Sequence, residues 1–175
     1  MENKRYIHLS KKKIRSLKDR EQNKIPGNLP KGLWIAKEKK WIDFLDKNMS
    51  KDIYGNIYKV NLNSQVVKSL KEKNENKILK IGTMNSLEKF NDKYGKDNKI
   101  DWATVGKHFN GIIFDPYYKD VDPVKYKWYL TLYIPSGCIW NKNAMNIELL
   151  YENSKPTKKV RFIVENKNLD KLLLS

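Results

Sequence analysis

One cysteine, two histidines, eight glycines and no long apolar run leave little room for several common chemistries in this chain of 175 residues. A lone Cys138 excludes an internal disulfide framework and accords with a reducing compartment. With His8 and His108 as the only imidazoles, a Cys/His zinc site lacks ligands, and no metal is expected. No stretch of about eighteen apolar residues is present, so no membrane-spanning helix is expected. Met1 to Lys13 lacks the apolar segment of a secretory signal, and a cytoplasmic, monomeric protein is the expectation. The glycines, at 27, 32, 55, 82, 95, 106, 111 and 137, nowhere form GxGxxG or the GxxxxGK run of a P-loop. GxSxG, HExxH and the EF-hand loop are missing as well. No Gly/Ser- or Pro-rich stretch divides the sequence and no repeat is visible, so residues 1–175 read as one domain.

Basic charge is abundant. Lys and Arg total 36 against 20 Asp and Glu, a formal charge of +16. That excess has two readings: a positive surface for phosphate-rich partners, or the Lys- and Asn-rich composition that an AT-biased genome produces. Clustering of Lys11, Lys12, Lys13, Arg15, Lys18 and Arg20 in one decapeptide favours the first, with DNA, RNA or an acidic protein as the partner. Five Trp, ten Tyr and five Phe supply enough bulky apolar surface for a core despite a mean hydropathy of −0.76.

Periodicity predicts short strands at 5–10, 32–36, 78–81 and 111–114, and a half-buried strand through Tyr58, Val60 and Leu62. Ile14 and Leu17 allow a short amphipathic helix, and Gln22 to Pro30 reads as a loop. Trp41, Phe44 and Leu45 predict a helix over 38–47. Asn85 or Ser86 can cap a helix carrying Leu87, Phe90 and Tyr94, and Asp101 one carrying Trp102, Val105 and Phe109. Asp115-Pro116 should end its strand, with Tyr117 and Tyr118 buried in the turn that follows. The longest strand signal is Trp128 to Ile134, stopped by Pro135. Ser136-Gly137 then makes a turn or bulge before Cys138-Ile139-Trp140, and further strands are expected at 147–151 and 160–164. The irregular order of strands and helices predicts an α+β fold with mainly antiparallel strands and a few short helices.

Tyr6-Ile7-His8-Leu9-Ser10 resembles the first-strand histidine motif of ADP-ribosyltransferases of the diphtheria-toxin-like fold, and Gly32-Leu33-Trp34-Ile35-Ala36 resembles their second motif. Gly32-Leu33-Trp34 and Ser136 to Trp140 also look like an uncharacterised bacterial and viral family. The first resemblance implies a split sheet and an enzyme that binds NAD as substrate and transfers ADP-ribose to a nucleic acid or protein acceptor. It implies that His8 holds the nicotinamide ribose, that Ser10 and Gly32 support the site, and that Trp34 stacks on the nicotinamide. The family's later glutamate motif has no clear counterpart. Glu148 is the best-placed carboxylate by strand order and Asp115 the second, while Ser136 is a third candidate catalytic residue. The alternative is a basic nucleic-acid-binding module without catalysis, stacking Tyr and Trp on unpaired bases.

Overall fold

The structure, a computed structural model, describes residues 5–48, 55–71 and 76–152. The strand expected at 160–164 lies outside them. In chain order the elements are β1 (Tyr6–Ser10), β2 (Leu33–Lys37), α1 (Lys40–Lys47), β3 (Asn56–Leu62), β4 (Val66–Val67), β5 (Ile78–Ile81) and α2 (Met84–Tyr94). There follow β6 (Gly95–Lys96), β7 (Lys99–Ile100), α3 (Trp102–His108), β8 (Gly111–Phe114), α4 (Lys127–Leu130), β9 (Ser136–Ile139) and β10 (Met145–Glu152). The fold is α+β, with mostly antiparallel strands and short helices, as expected. The described residues form two compact units, one of 5–17, 35–48, 55–61 and 146–152, the other of 18–34, 62–71 and 76–145.

In the first unit β1 is an interior strand. It pairs antiparallel with β2 (Ile7 opposite Ala36) and with β3 (His8 opposite Tyr58, Ser10 opposite Asn56), and β10 lies beside β3. Ile7, Leu9 and Ile57 form a core with Ile42 of α1, against which Trp41, Leu45 and Leu150 pack. The apolar stripe of α1 was legible, but its deepest member is Ile42, while Trp41, Phe44 and Leu45 stay half-buried.

The second unit has a mixed sheet. β4, β5 and β8 run parallel, with Val66 opposite Ile78 and Ile78 opposite Gly111, and β9 closes antiparallel on β8. Two helices, α2 and α3, lie in the connection from β5 to β8, as parallel neighbours require a crossover. The core is aromatic: Phe90 meets Trp102, Phe114 and Trp128 at ring separations of 5.7–6.3 Å, in tilted or edge-on geometry. Asp101 caps α3 as expected, its carboxylate accepting from the Thr104 amide and hydroxyl, and these bonds hold its pKa below the ordinary value. For α2 the cap is Thr83 rather than Asn85 or Ser86, because Thr83 and Ser86 satisfy each other's backbone amides in a capping box.

Three local expectations fail. Residues 128–134 are not a strand: α4 carries Trp128 and Tyr129 into the core side by side, and Leu132 follows at helical spacing. The Thr131 hydroxyl closes the turn by donating to the Trp128 carbonyl at 2.6 Å, and Tyr133 adopts φ 62°. Two adjacent buried aromatics cannot share one face of a strand, so packing overrode β propensity. Conversely, Ser136-Gly137 is not a turn. Both residues are buried within β9 and pair with Phe114 and Ile113. No helix forms over Ile14 and Leu17, where the Ile14 amide instead donates to the Tyr58 hydroxyl at 2.7 Å.

Candidate functional site

His8 stands in the middle of β1, half-buried between two aromatic rings. Its imidazole is edge-on to Trp41, with centroids 5.9 Å apart and planes at 75°, and tilted against Tyr58 at 6.4 Å. Strand alternation sets Ser10 on the same face of β1, and the register places Tyr58 and Asn56 directly opposite them. The result is a polar-aromatic row of four residues from two neighbouring strands. The Ser10 hydroxyl donates to the Lys12 carbonyl and shapes the exit from β1. Asn56 is buried, its amide donating to the Ser10 carbonyl at 3.3 Å, while its Oδ1 accepts no hydrogen bond among the described residues. A buried acceptor left without a partner costs about 1–3 kcal/mol, and this oxygen is enclosed by the protein rather than presented at its surface.

Glu148 lies elsewhere. Lys59, the register partner of Ile7, meets the Glu148 carboxylate at 3.9 Å, and Asn61 meets Asn146 two residues away on each strand. Glu148 therefore belongs to the face of Ile7 and Lys59, opposite to that of His8, with its side chain 57% exposed. Asp115, at the end of β8 in the second unit, is held by Lys80 at 3.2 Å.

Gly32, Trp34 and Ser136 also belong to the second unit. A loop leads into Gly32 and is pinned in three places. Buried Gln22 bonds both backbone groups of Lys31, at 2.7 and 2.8 Å, Gly27 exchanges two backbone bonds with Ile100, and the Trp102 indole donates to the Gly27 carbonyl. This strap brings Gly32 so close to β9 that a Cβ there would lie 2.5 Å from the Ile139 carbonyl oxygen and 2.7 Å from the Cys138 sulfur. Trp34 is half-buried against the aromatic core. The Ser136 hydroxyl donates to the Ile134 carbonyl at 3.1 Å, and the Trp140 indole to the Phe109 carbonyl at 2.6 Å. Burial pushes the Cys138 thiol far above its ordinary pKa, the opposite of a nucleophile. The run from Ser136 to Trp140 is thus built into packing, and Gly32 is a glycine because β9 lies against it.

Lys11, Lys12, Lys13, Arg15, Lys18 and Arg20 are exposed, Lys13 meeting Glu152 at 2.9 Å. Sequence reasoning missed Tyr58 and Asn56, which stand opposite His8 and Ser10 only through a register some fifty residues away; the alternation of β3 was the one available signal. Among the described residues no helix is long and apolar enough to cross a membrane, and no group of three or more His, Cys, Asp or Glu could hold a metal ion. Comparison with protein-family models, curated proteins and solved structures finds no match.

Proposed function

We propose that the face of His8, Ser10, Asn56 and Tyr58 binds the nicotinamide ribose of NAD, and that the chain is an ADP-ribosyltransferase-like enzyme. The observation that carries this reading is the half-buried imidazole of His8, edge-on to the half-buried Trp41 ring and paired across the strands with buried Tyr58. A ribose presents hydroxyl groups and a nicotinamide a flat ring, and the half-buried His8 imidazole and Trp41 ring are the groups available to them.

In the reaction the bond between ribose C1′ and the nicotinamide nitrogen breaks, and nicotinamide departs neutral with the bonding pair. The oxocarbenium-like C1′ is then captured by an acceptor nucleophile, which gives up its proton. A carboxylate must stabilise the developing cation. Glu148 is the candidate from strand order, Asp115 the second, and Ser136 the third candidate catalytic residue. The side of the sheet occupied by Glu148 makes binding at His8 the better-supported half of the proposal. The exposed basic segment 11–20 suits a polyanionic acceptor, nucleic acid or acidic protein.

Incubation with adenine-labelled NAD, DNA, RNA and lysate, reading nicotinamide release and label transfer, tests the proposal with His8→Ala alongside. Turnover that His8→Ala abolishes supports it, and NAD binding unchanged in His8→Ala contradicts it. The same basic segment favours a second reading, a nucleic-acid-binding module. Its mark is binding that falls steeply with salt and survives His8→Ala.

A further inference from the structure

The second unit holds a cavity of about 450 Å³ at the carboxyl ends of its three parallel strands. Lys68 to Leu70 follow β4, Gly82 and Thr83 follow β5, and Asp115-Pro116 follow β8, so each strand delivers its exit turn to the same space. Crevices at the carboxyl ends of parallel strands are recurrent ligand sites, and this volume is that of a small-molecule pocket.

The lining is basic. Lys68, Lys80 and Lys89 come from three separate stretches of chain, and Asp115 is the one acidic residue among the lining residues. Asp115 lies 3.2 Å from Lys80, whose side chain is only 13% exposed. Lys68 and Lys89 are exposed and form no ion pair among the described residues, so the cavity carries two positive charges that no neighbouring carboxylate answers. Leu70 and Pro116 supply apolar surface, and the Lys93 ammonium donates to the Leu70 carbonyl at 3.1 Å. Two unanswered cations beside an apolar surface match a dianionic phosphate monoester joined to an organic group.

We infer that this cavity is a binding site for a small phosphate ester, its phosphate between Lys68 and Lys89 and its organic part against Leu70 and Pro116. The inference does not rest on the proposed NAD site, which lies in the other unit and uses none of these residues. No group transfer is assigned to the cavity.

The test is titration of the full chain with adenosine monophosphate, adenosine and inorganic phosphate, followed by calorimetry and by amide chemical shifts. Adenosine monophosphate should shift the amides of Lys68 to Leu70 and Gly82 to Ser86. Adenosine should bind at least about tenfold more weakly, and so should inorganic phosphate, which lacks the organic part. Lys68→Ala/Lys89→Ala should weaken binding by about tenfold per lysine, whereas Lys96→Ala/Lys99→Ala, which removes the same charge from the exposed β6–β7 hairpin, should change it less than about twofold. His8→Ala should leave it unaltered. Equal losses in the two double variants would reduce the effect to net charge and overturn the inference. So would adenosine or inorganic phosphate binding as well as the ester, shifts centred on His8 and Tyr58, or no binding at about 10 mM.

Discussion

Replacing Gly32 by alanine should destabilise the protein strongly, while the same change at Gly27, five residues earlier on one strap, should not. A Cβ at position 32 would meet the Ile139 oxygen at 2.5 Å, the Cys138 sulfur at 2.7 Å and the Ile139 carbonyl carbon at 2.9 Å. Two of these atoms are backbone of β9, which is tied to β8 through Ile139 opposite Gly111, so neither can swing aside. Relief requires the strap or β9 to move by several tenths of an ångström, which places the cost at the upper end of overpacking, about 3 kcal/mol. For a chain of this length that is roughly 6–12 °C in Tm. At Gly27 the nearest atom to a new Cβ is the Leu29 oxygen at 4.0 Å, and no glycine among the described residues has positive φ. Its bonds to Ile100 and Trp102 use only backbone atoms. Gly27→Ala should therefore be neutral or gain up to about 1 kcal/mol by restricting the unfolded chain. Urea denaturation at equal m-value reads the difference. Gly32→Ala within about 0.5 kcal/mol of the parent, or Gly27→Ala losing as much as Gly32→Ala, would refute the reasoning.

Two solution measurements follow from the buried polar groups. Cys138 should resist alkylation at neutral pH in the native protein and react fully in denaturant, since burial raises its thiol pKa; rapid native labelling would show that β9 is open. Burial likewise pushes the Tyr129 phenol up to about 12 from an ordinary 10, against the smaller opposing effect of the Tyr118 amide. The folded state prefers the neutral phenol, so this contribution to stability is intact below about pH 10 and is lost as pH rises through about 12. Denaturation midpoints at stepped alkaline pH, with tyrosinate absorbance, should show that decline, and a tyrosine set titrating wholly near pH 10 in the native protein would contradict it.

The fold was legible wherever local pattern and burial agreed. Short apolar runs such as Gly111 to Phe114 became strands buried on both faces, and Asp101 announced α3 because its capping bonds are local in sequence. The segment 128–134 misled because alternation of Trp, Leu, Leu and Ile is also compatible with a tight helical turn, and the deciding contact, the Trp128 indole to Asn91 at 2.8 Å, spans 37 residues. His8 could be singled out from its motif. Its surroundings could not, since Tyr58 meets it and Asn56 meets Ser10 through strand register, and Glu148 falls on the opposite face because β10 joins β3 with Lys59 as its contact. The lysine cavity left no trace in the sequence: Lys68 follows β4, Lys80 lies in β5, Lys89 is on α2 and Asp115 follows β8, and the parallel order of β4, β5 and β8 brings these stretches together.

The most direct measurement is nicotinamide release from NAD by the full chain, compared with His8→Ala and with Asn56→Ala at matched folded fraction. The account predicts release by the parent protein, loss of about a hundredfold or more in His8→Ala, and retained turnover in Asn56→Ala, whose side chain is buried and bonds the Ser10 carbonyl. NAD binding and turnover that are the same in His8→Ala as in the parent would contradict it.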